Sequence, residues 1–130
     1  MALQGIYEAY IACINERSLE RLGDYVAESV VHNGRTLGLA GYRDMLLGDY
    51  RDIPDLRFVI QLLVADSTMV CSRLHFDCHP AGELRGVRVD GRRIVFHENV
   101  IYRFVDGKIQ EVWSVIDRGE IEANLETRSA

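Results

Sequence analysis

The chain has 130 residues, 48% of them apolar, and its 20 acidic and 15 basic side chains leave a formal net charge of −5. That is enough chain for one domain, spanning 1–130, which should bury roughly two-thirds of its unfolded surface. The negative charge, with no Lys/Arg cluster to offset it (RGVRVDGRR, 85–93, is short and holds an acid), excludes a nucleic-acid surface. No stretch approaches the roughly 18 apolar residues that a membrane span needs. The first residues, MALQGIYEAYIACINERS, lack a basic start and an unbroken apolar run, so no secretory leader is expected and the setting is read as cytoplasmic. Cys13, Cys71 and Cys78 are an odd number without paired spacing, which points to reduced thiols. Neither Cys78 nor His79 has the spaced partner that a zinc site requires, so no metal is expected.

Taken in chain order, residues 3–14 place Leu3, Ile6, Tyr7, Tyr10, Ile11 and Ile14 at spacings of three and four, one apolar stripe on a helix. Ser18 suits the N-cap of a second, short helix carrying Leu19, Leu22 and Val26. SVVHNG (29–34) reads as a brief strand entering an Asn-Gly turn. Tyr42, Met45, Leu46 and Asp49 fit a third helix, which must stop before Pro54. From there the texture is that of strands. LRFVIQLLVAD (56–66) and TMVCSRLHFDCHP (68–80) are rich in β-branched and aromatic residues. After a Pro-Ala-Gly turn and Asp90-Gly91, RRIVFHENVIYRF (92–104) and KIQEVWSVID (108–117) flank VDG, read as a three-residue hairpin loop. A closing helix is predicted over 118–126. Helices first and a long antiparallel meander after is an α+β pattern.

The hairpin allows a geometric expectation. If Phe104 pairs with Lys108, Asn99 faces Trp113 and His97 faces Val115. One face then carries His97, Asn99, Ile101 and Arg103 beside Glu111, Trp113, Val115 and Asp117. The other carries Phe96, Val100, Tyr102 and Phe104 with Val112 and Ile116, and reads as core or dimer interface. The first face mixes an indole, an imidazole, an amide and carboxylates, the make-up of a pocket that holds an apolar ligand and moves protons. A two-residue turn would break this grouping. Arg73, His75 and Asp77 form a second polar row on the preceding strand. Asp117-x-x-Glu120 also reads as a capping box for the last helix.

The order of elements and the phrases HNG (32–34), GYRDML (41–46), IPDLRF (53–58), GRRIVFHENVIYRFVDGKI (91–109) and EVWSVID (111–117) resemble the SnoaL-like polyketide cyclases and ester cyclases, of the nuclear transport factor 2-like (ketosteroid isomerase-like) superfamily. The resemblance implies a cone-shaped, curved, mixed or antiparallel sheet wrapped around N-terminal helices, an enclosed apolar pocket, no cofactor, and a homodimer. It implies an aspartate late in the last long strand acting as acid/base in an intramolecular aldol closure, with a histidine nearby. Asp117 matches that aspartate; His97 and His75 are the candidate partners. Trp113, Asn99, Arg73, Tyr42 and His32 are the expected substrate-binding residues, His32 near the pocket mouth. Two departures stand out: His75 replaces the aspartate of the epoxide hydrolases' Arg-x-Asp pair, and EANLE (122–126) replaces the Gln-Leu-Gly ending of many cyclases. The expected function is cofactor-independent acid/base chemistry, aldol-type cyclisation or isomerisation, on an apolar carbonyl or ester compound such as a polyketide or terpenoid. A non-catalytic binding or dimeric interaction module of the same fold is the alternative, as is a hydratase or isomerase in the same pocket.

Overall fold

A computed structural model describes residues 2–129, with side chains as far as residue 126. Helix α1 (Leu3–Asn15) buries Tyr7, Tyr10, Ile11, Cys13 and Ile14, the stripe expected from the spacing. It ends in a Schellman closure: Ser18 N–H donates to Cys13 C=O at 3.1 Å, and Arg17 N–H to Ile14 C=O at 3.2 Å. The left-handed position that glycine usually takes is held here by Arg17 (φ 60°). Its guanidinium donates to Pro54 C=O at 2.8 Å and lies 4.4 Å from the centre of the Tyr50 ring, ties that offset the backbone cost.

The predicted second helix is a single 3-10 segment, Leu19–Asp24. Val26 does not belong to it but opens strand β1 (Val26–His32), because its backbone pairs with the last strand. A short β2 (Arg35–Thr36) folds back on β1, and α2 (Gly38–Asp52) buries Tyr42, Leu46 and Tyr50 before Pro54 stops it. Gly38 (φ 70°) lets the chain enter α2, where a side chain would approach the Glu28 carbonyl to 3.3 Å. Strands β3 (Val59–Ala65) and β4 (Met69–Cys78) follow, then a small hairpin of β5 (Glu83–Leu84) and β6 (Val87–Arg88). The long strands β7 (Ile94–Val105) and β8 (Lys108–Ile116) and helix α3 (Arg118–Ser129) complete the chain.

Six strands form one curved, mixed, unclosed sheet in the order β2-β1-β8-β7-β4-β3; β1 and β8 are parallel and the other pairs antiparallel. The helical side of the sheet holds the core: Val70, Leu74, Phe76, Ile94, Phe96, Val100, Tyr102, Ile109 and Val112 all point there and are buried. The fold is therefore the expected α+β cone. Among the described residues no helix is long and apolar enough to cross a membrane.

The hairpin register differs from the expectation. Val105 pairs with Lys108, so the loop is the two-residue Asp106-Gly107 turn, both residues left-handed (φ 52° and 76°). Taken alone this would exchange the two faces. A bulge restores the parity: Phe104 pairs with Ile109 but Arg103 with Glu111, leaving Gln110 as the extra residue. Asn99 accordingly faces Val115, not Trp113, and Trp113 faces Ile101, while the grouping of alternate residues survives. Gln110 Nε2 donates to Ser29 Oγ at 3.1 Å, which pins the bulge to β1.

Helix α3 finishes what β8 leaves open. Pairing of β7 with β8 runs only as far as Glu98 and Ile116, so Val95 and His97 have no strand beside them on that side. Asn124 fills the gap: its Oδ1 accepts from Val95 N–H at 2.9 Å and its Nδ2 donates to Val95 C=O at 2.8 Å. Glu120, one helical turn earlier, accepts from His97 N–H at 2.5 Å, and Ile121 between them is fully buried.

Candidate active site

Four of the eight residues singled out from the sequence meet in one network, on the side of the sheet that faces away from the helices. Glu120 Oε1 accepts from His97 Nδ1 at 3.0 Å, which places the hydrogen on Nδ1 and leaves Nε2 as an acceptor. His75 Nδ1 then donates to that nitrogen at 3.0 Å and Gln61 Nε2 approaches it at 3.3 Å. Arg73 donates from Nε to Gln61 Oε1 at 2.8 Å and from Nη1 to Asn99 Oδ1 at 2.9 Å, and its Nη2 stands 3.7 Å from Glu120 Oε2. Trp113 lies on the same side, 38% exposed, with Val115 at 65%.

Asp117 is exposed as well, so it is not a buried acid in an apolar setting. Its Oδ1 accepts from Gly119 N–H at 2.9 Å, a cap on α3. The reciprocal half of the capping box does not form, because the Glu120 carboxylate is committed to His97. None of Arg73, His75, His97, Asn99, Trp113 and Asp117 lines the cavities of the sheet's other side. Those two cavities lie on the opposite side of the sheet from this polar row. A row continuous with the core must look mostly apolar, and the polar row is the one that meets solvent. Tyr42 and His32 lie on the helical side. Tyr42 is buried, its hydroxyl sharing a 2.6 Å hydrogen bond with Tyr10, while His32 reaches a cavity wall.

Two cavities meet on the helical side. The inner one, about 140 Å³, is lined by the apolar Ile53, Leu56, Phe58, Phe76, Leu84 and Phe96. Its ring wall is well ordered: Phe76 and Phe96 stack with centroids 4.9 Å apart, and Phe58 meets Phe76 edge-on at 5.4 Å. The outer cavity, about 390 Å³, is lined by His32, Asn33, Met45, Ser114 and Val115 among others. Asp49, Arg85, Glu98 and Ile116 line both.

The junction is where the titratable groups collect. Glu98 sits on β7 in the otherwise apolar inward row, between Phe96 and Val100. Burial pushes its carboxyl above the usual carboxylate range; a hydrogen bond from Ser114 Oγ and the charge of Arg85 act the other way. Asp49 projects from α2 one turn beyond Met45, and burial, reinforced by the charge of Glu98, pushes it up to about 6. Burial and the positive charges of Arg85 and Arg35 hold the His32 imidazole below its ordinary value. Four buried phenols, Tyr7, Tyr10, Tyr42 and Tyr102, lie within the field of Glu98, joined as Tyr10–Tyr42 and, at 3.4 Å, Tyr7–Tyr102. Desolvation keeps all four neutral.

Glu98 and Arg85 were not among the sequence candidates. The signal for Glu98 was available: a lone acid in a row whose every neighbour is apolar. Asp49 was read only as part of a helix stripe, although sharing a stripe with Tyr42 and Leu46 already turns it inward. Among the described residues no group of three His, Cys, Asp or Glu could hold a metal ion.

The comparisons with known proteins agree with this architecture. No curated protein matches the chain. Among solved structures, a SnoaL-like polyketide cyclase from Agrobacterium tumefaciens is 47% identical, covers 96% of this chain and 98% of its own, and superposes with a TM-score of 0.95. IdmH from Streptomyces antibioticus (20% identity, 97% and 99% coverage, TM-score 0.83) and AclR from Streptomyces galilaeus (24%, 96% and 96%, TM-score 0.76) share the fold. The family description "SnoaL-like polyketide cyclase" matches residues 4–125. With residues 4–125 matched, and 47% identity to a solved member, the chain belongs to the SnoaL-like polyketide cyclase family.

Proposed function

We propose that this protein is a cofactor-independent enzyme that moves a proton on carbon next to a carbonyl in a small, largely apolar compound, closing a ring by an aldol-type step. The observation that carries this reading is the pair of inward carboxylates, Asp49 and Glu98, at the junction of an aromatic cavity with a wider polar one. Asp49, at about 6, is poised to accept a proton near neutrality. Burial favours the proton on Glu98, and in that form its carboxyl can donate a hydrogen bond to the enolate oxygen that forms. A C–H bond breaks at the α-carbon, the enolate carbon joins a second carbonyl carbon, and the resulting alkoxide takes up the proton.

The test is α-proton exchange of small β-keto esters in D2O, followed by NMR. Asp49→Asn and Glu98→Gln should each slow catalysed exchange by about 100-fold or more, and Asp117→Asn, which alters only the α3 cap, should stay within a few-fold. Wild-type rates in both carboxylate variants, or no exchange above background with any β-keto ester, would sink the assignment.

The outer sheet face supports a second copy of this chain as partner. Leu62 (61%), Val64 (70%), Ile101 (42%), Trp113 and Val115 expose apolar side chains in neighbouring registers on β3, β7 and β8. Sedimentation should give a dimer that Val115→Asp shifts to monomer; a monomeric wild type refutes the partner.

A further inference from the structure

The two cavities differ in what they could hold, and the difference limits the substrate. The inner cavity is close in size and lining to an apolar cavity of about 150 Å³ that accepts benzene, so it seats one six-membered ring, and a fused second ring would have to crowd the polar groups at the junction. At the junction stands Arg85. It occupies the tip of the β5–β6 hairpin, where Arg85 and Gly86 are both left-handed (φ 50° and 80°). An arginine in that conformation costs roughly 1 kcal/mol relative to glycine, and it holds a guanidinium over both cavities.

Among the described residues that guanidinium makes no hydrogen bond or ion pair. Its neighbour Arg88, on the same hairpin, is tied to Glu83 at 3.2 Å and to Asp90 at 3.0 Å. Arg85 is thus the cation at the site whose donors are not already used, and its planar fork matches a carboxylate.

Resting on the reading of Asp49 and Glu98 as the reacting pair, we propose that the substrate is a one-ring carboxylic acid bound as its anion, with the ring against Phe58, Phe76 and Phe96 and the carboxylate on Arg85. The segment between ring and carboxylate, which carries the ketone whose α-carbon reacts, then lies at the Asp49–Glu98 junction. The competing role for Arg85 is to balance the two protein carboxylates, which predicts no preference for an anionic ligand.

Calorimetric titration at pH 6.5 separates the two, using phenylacetate, its neutral isostere phenylacetamide, and 2-naphthylacetate as probes. Phenylacetate should bind about 10-fold or more tighter than phenylacetamide, the scale of one charge-assisted hydrogen-bonded pair. Arg85→Gln, at an exposed hairpin tip, should remove that advantage and leave phenylacetamide unchanged, and 2-naphthylacetate should bind at least about 10-fold more weakly than phenylacetate. Equal affinities for acid and amide, loss of both on Arg85→Gln, tight naphthyl binding, or no binding of either one-ring probe at millimolar concentration each overturns the proposal. Asp49→Asn and Glu98→Gln keep the ring seat and should retain phenylacetate. If they retain both binding and α-proton exchange, the acid/base assignment fails while the substrate class stands. If they lose exchange but acid and amide bind alike, the reverse holds.

Discussion

Replacing Asp49 by asparagine should change how stability depends on pH, with a sign set by its surroundings. A carboxyl raised from its ordinary 3.8 to about 6 in the folded protein binds its proton more tightly folded than unfolded. The stabilisation from that proton is complete below about pH 4 and is lost as pH rises through about 6. A displacement of roughly two pH units is worth at most ~3 kcal/mol. Because Asp49 keeps contact with solvent through the outer cavity, screening brings this to about 1–2 kcal/mol. Wild type should therefore lose about 1–2 kcal/mol more stability between pH 4 and pH 7.5 than Asp49→Asn does. With a urea dependence of about 2 kcal/mol per molar for a chain of this size, the midpoints should diverge by roughly 0.5–1 M. Asp55, Asp66 and Asp77, all held below the usual carboxylate range by hydrogen bonds, give the opposite slope in both proteins and cancel in the comparison. Parallel stability–pH curves for the two proteins would refute the burial argument and remove Asp49 as the base.

Three further outcomes follow from the packing. Asn124→Ala should expose the Val95 amide, raising its hydrogen-exchange rate well above that of Val100, and cost about 1–3 kcal/mol; an unchanged rate means α3 does not seal β7. Asp117→Ala should cost about 1 kcal/mol in urea unfolding while Asp117→Ser costs a few tenths, the pattern of an N-cap; equal losses would argue against the cap. Phe96→Ala, which removes a ring stacked on Phe76, should cost about 3–5 kcal/mol by thermal unfolding, and a loss under about 1 kcal/mol would mean the aromatic wall is not packed as described.

Much of the fold was legible in the sequence because its signals are local. The α1 stripe, Pro54 as a stop and the β-branched runs each depend on a few adjacent residues. The face of the β7–β8 ribbon that meets the core is set instead by two events. One is the Asp106-Gly107 turn, visible as a dipeptide. The other is the bulge at Gln110, which carries no residue signature of its own. Reading one wrongly and missing the other cancelled in parity, so the residues were grouped correctly and paired wrongly. The Asp49–Glu98 pair was not among the sequence candidates for another physical reason. Polar residues were counted as evidence for a pocket, yet inside a cone a site is built from few polar atoms in an apolar wall, and Glu98 between Phe96 and Val100 is such an atom. Arg85 could not have been found this way, since a two-strand hairpin folding over the cavity leaves no periodic trace.

Gln110 can also be considered as slack in the ladder. Deleting it would leave Phe104 against Ile109 and Arg103 against Glu111, now neighbours in a regular ladder, with Val112, Ser114 and Ile116 still facing inward. A deletion between Glu111 and Ile116 has no extra residue to remove, and would turn every β8 side chain beyond it to the other face. The tie from Gln110 to Ser29 is what the first deletion loses. A single-residue change of length is therefore absorbed at the bulge, and not in the rest of β8.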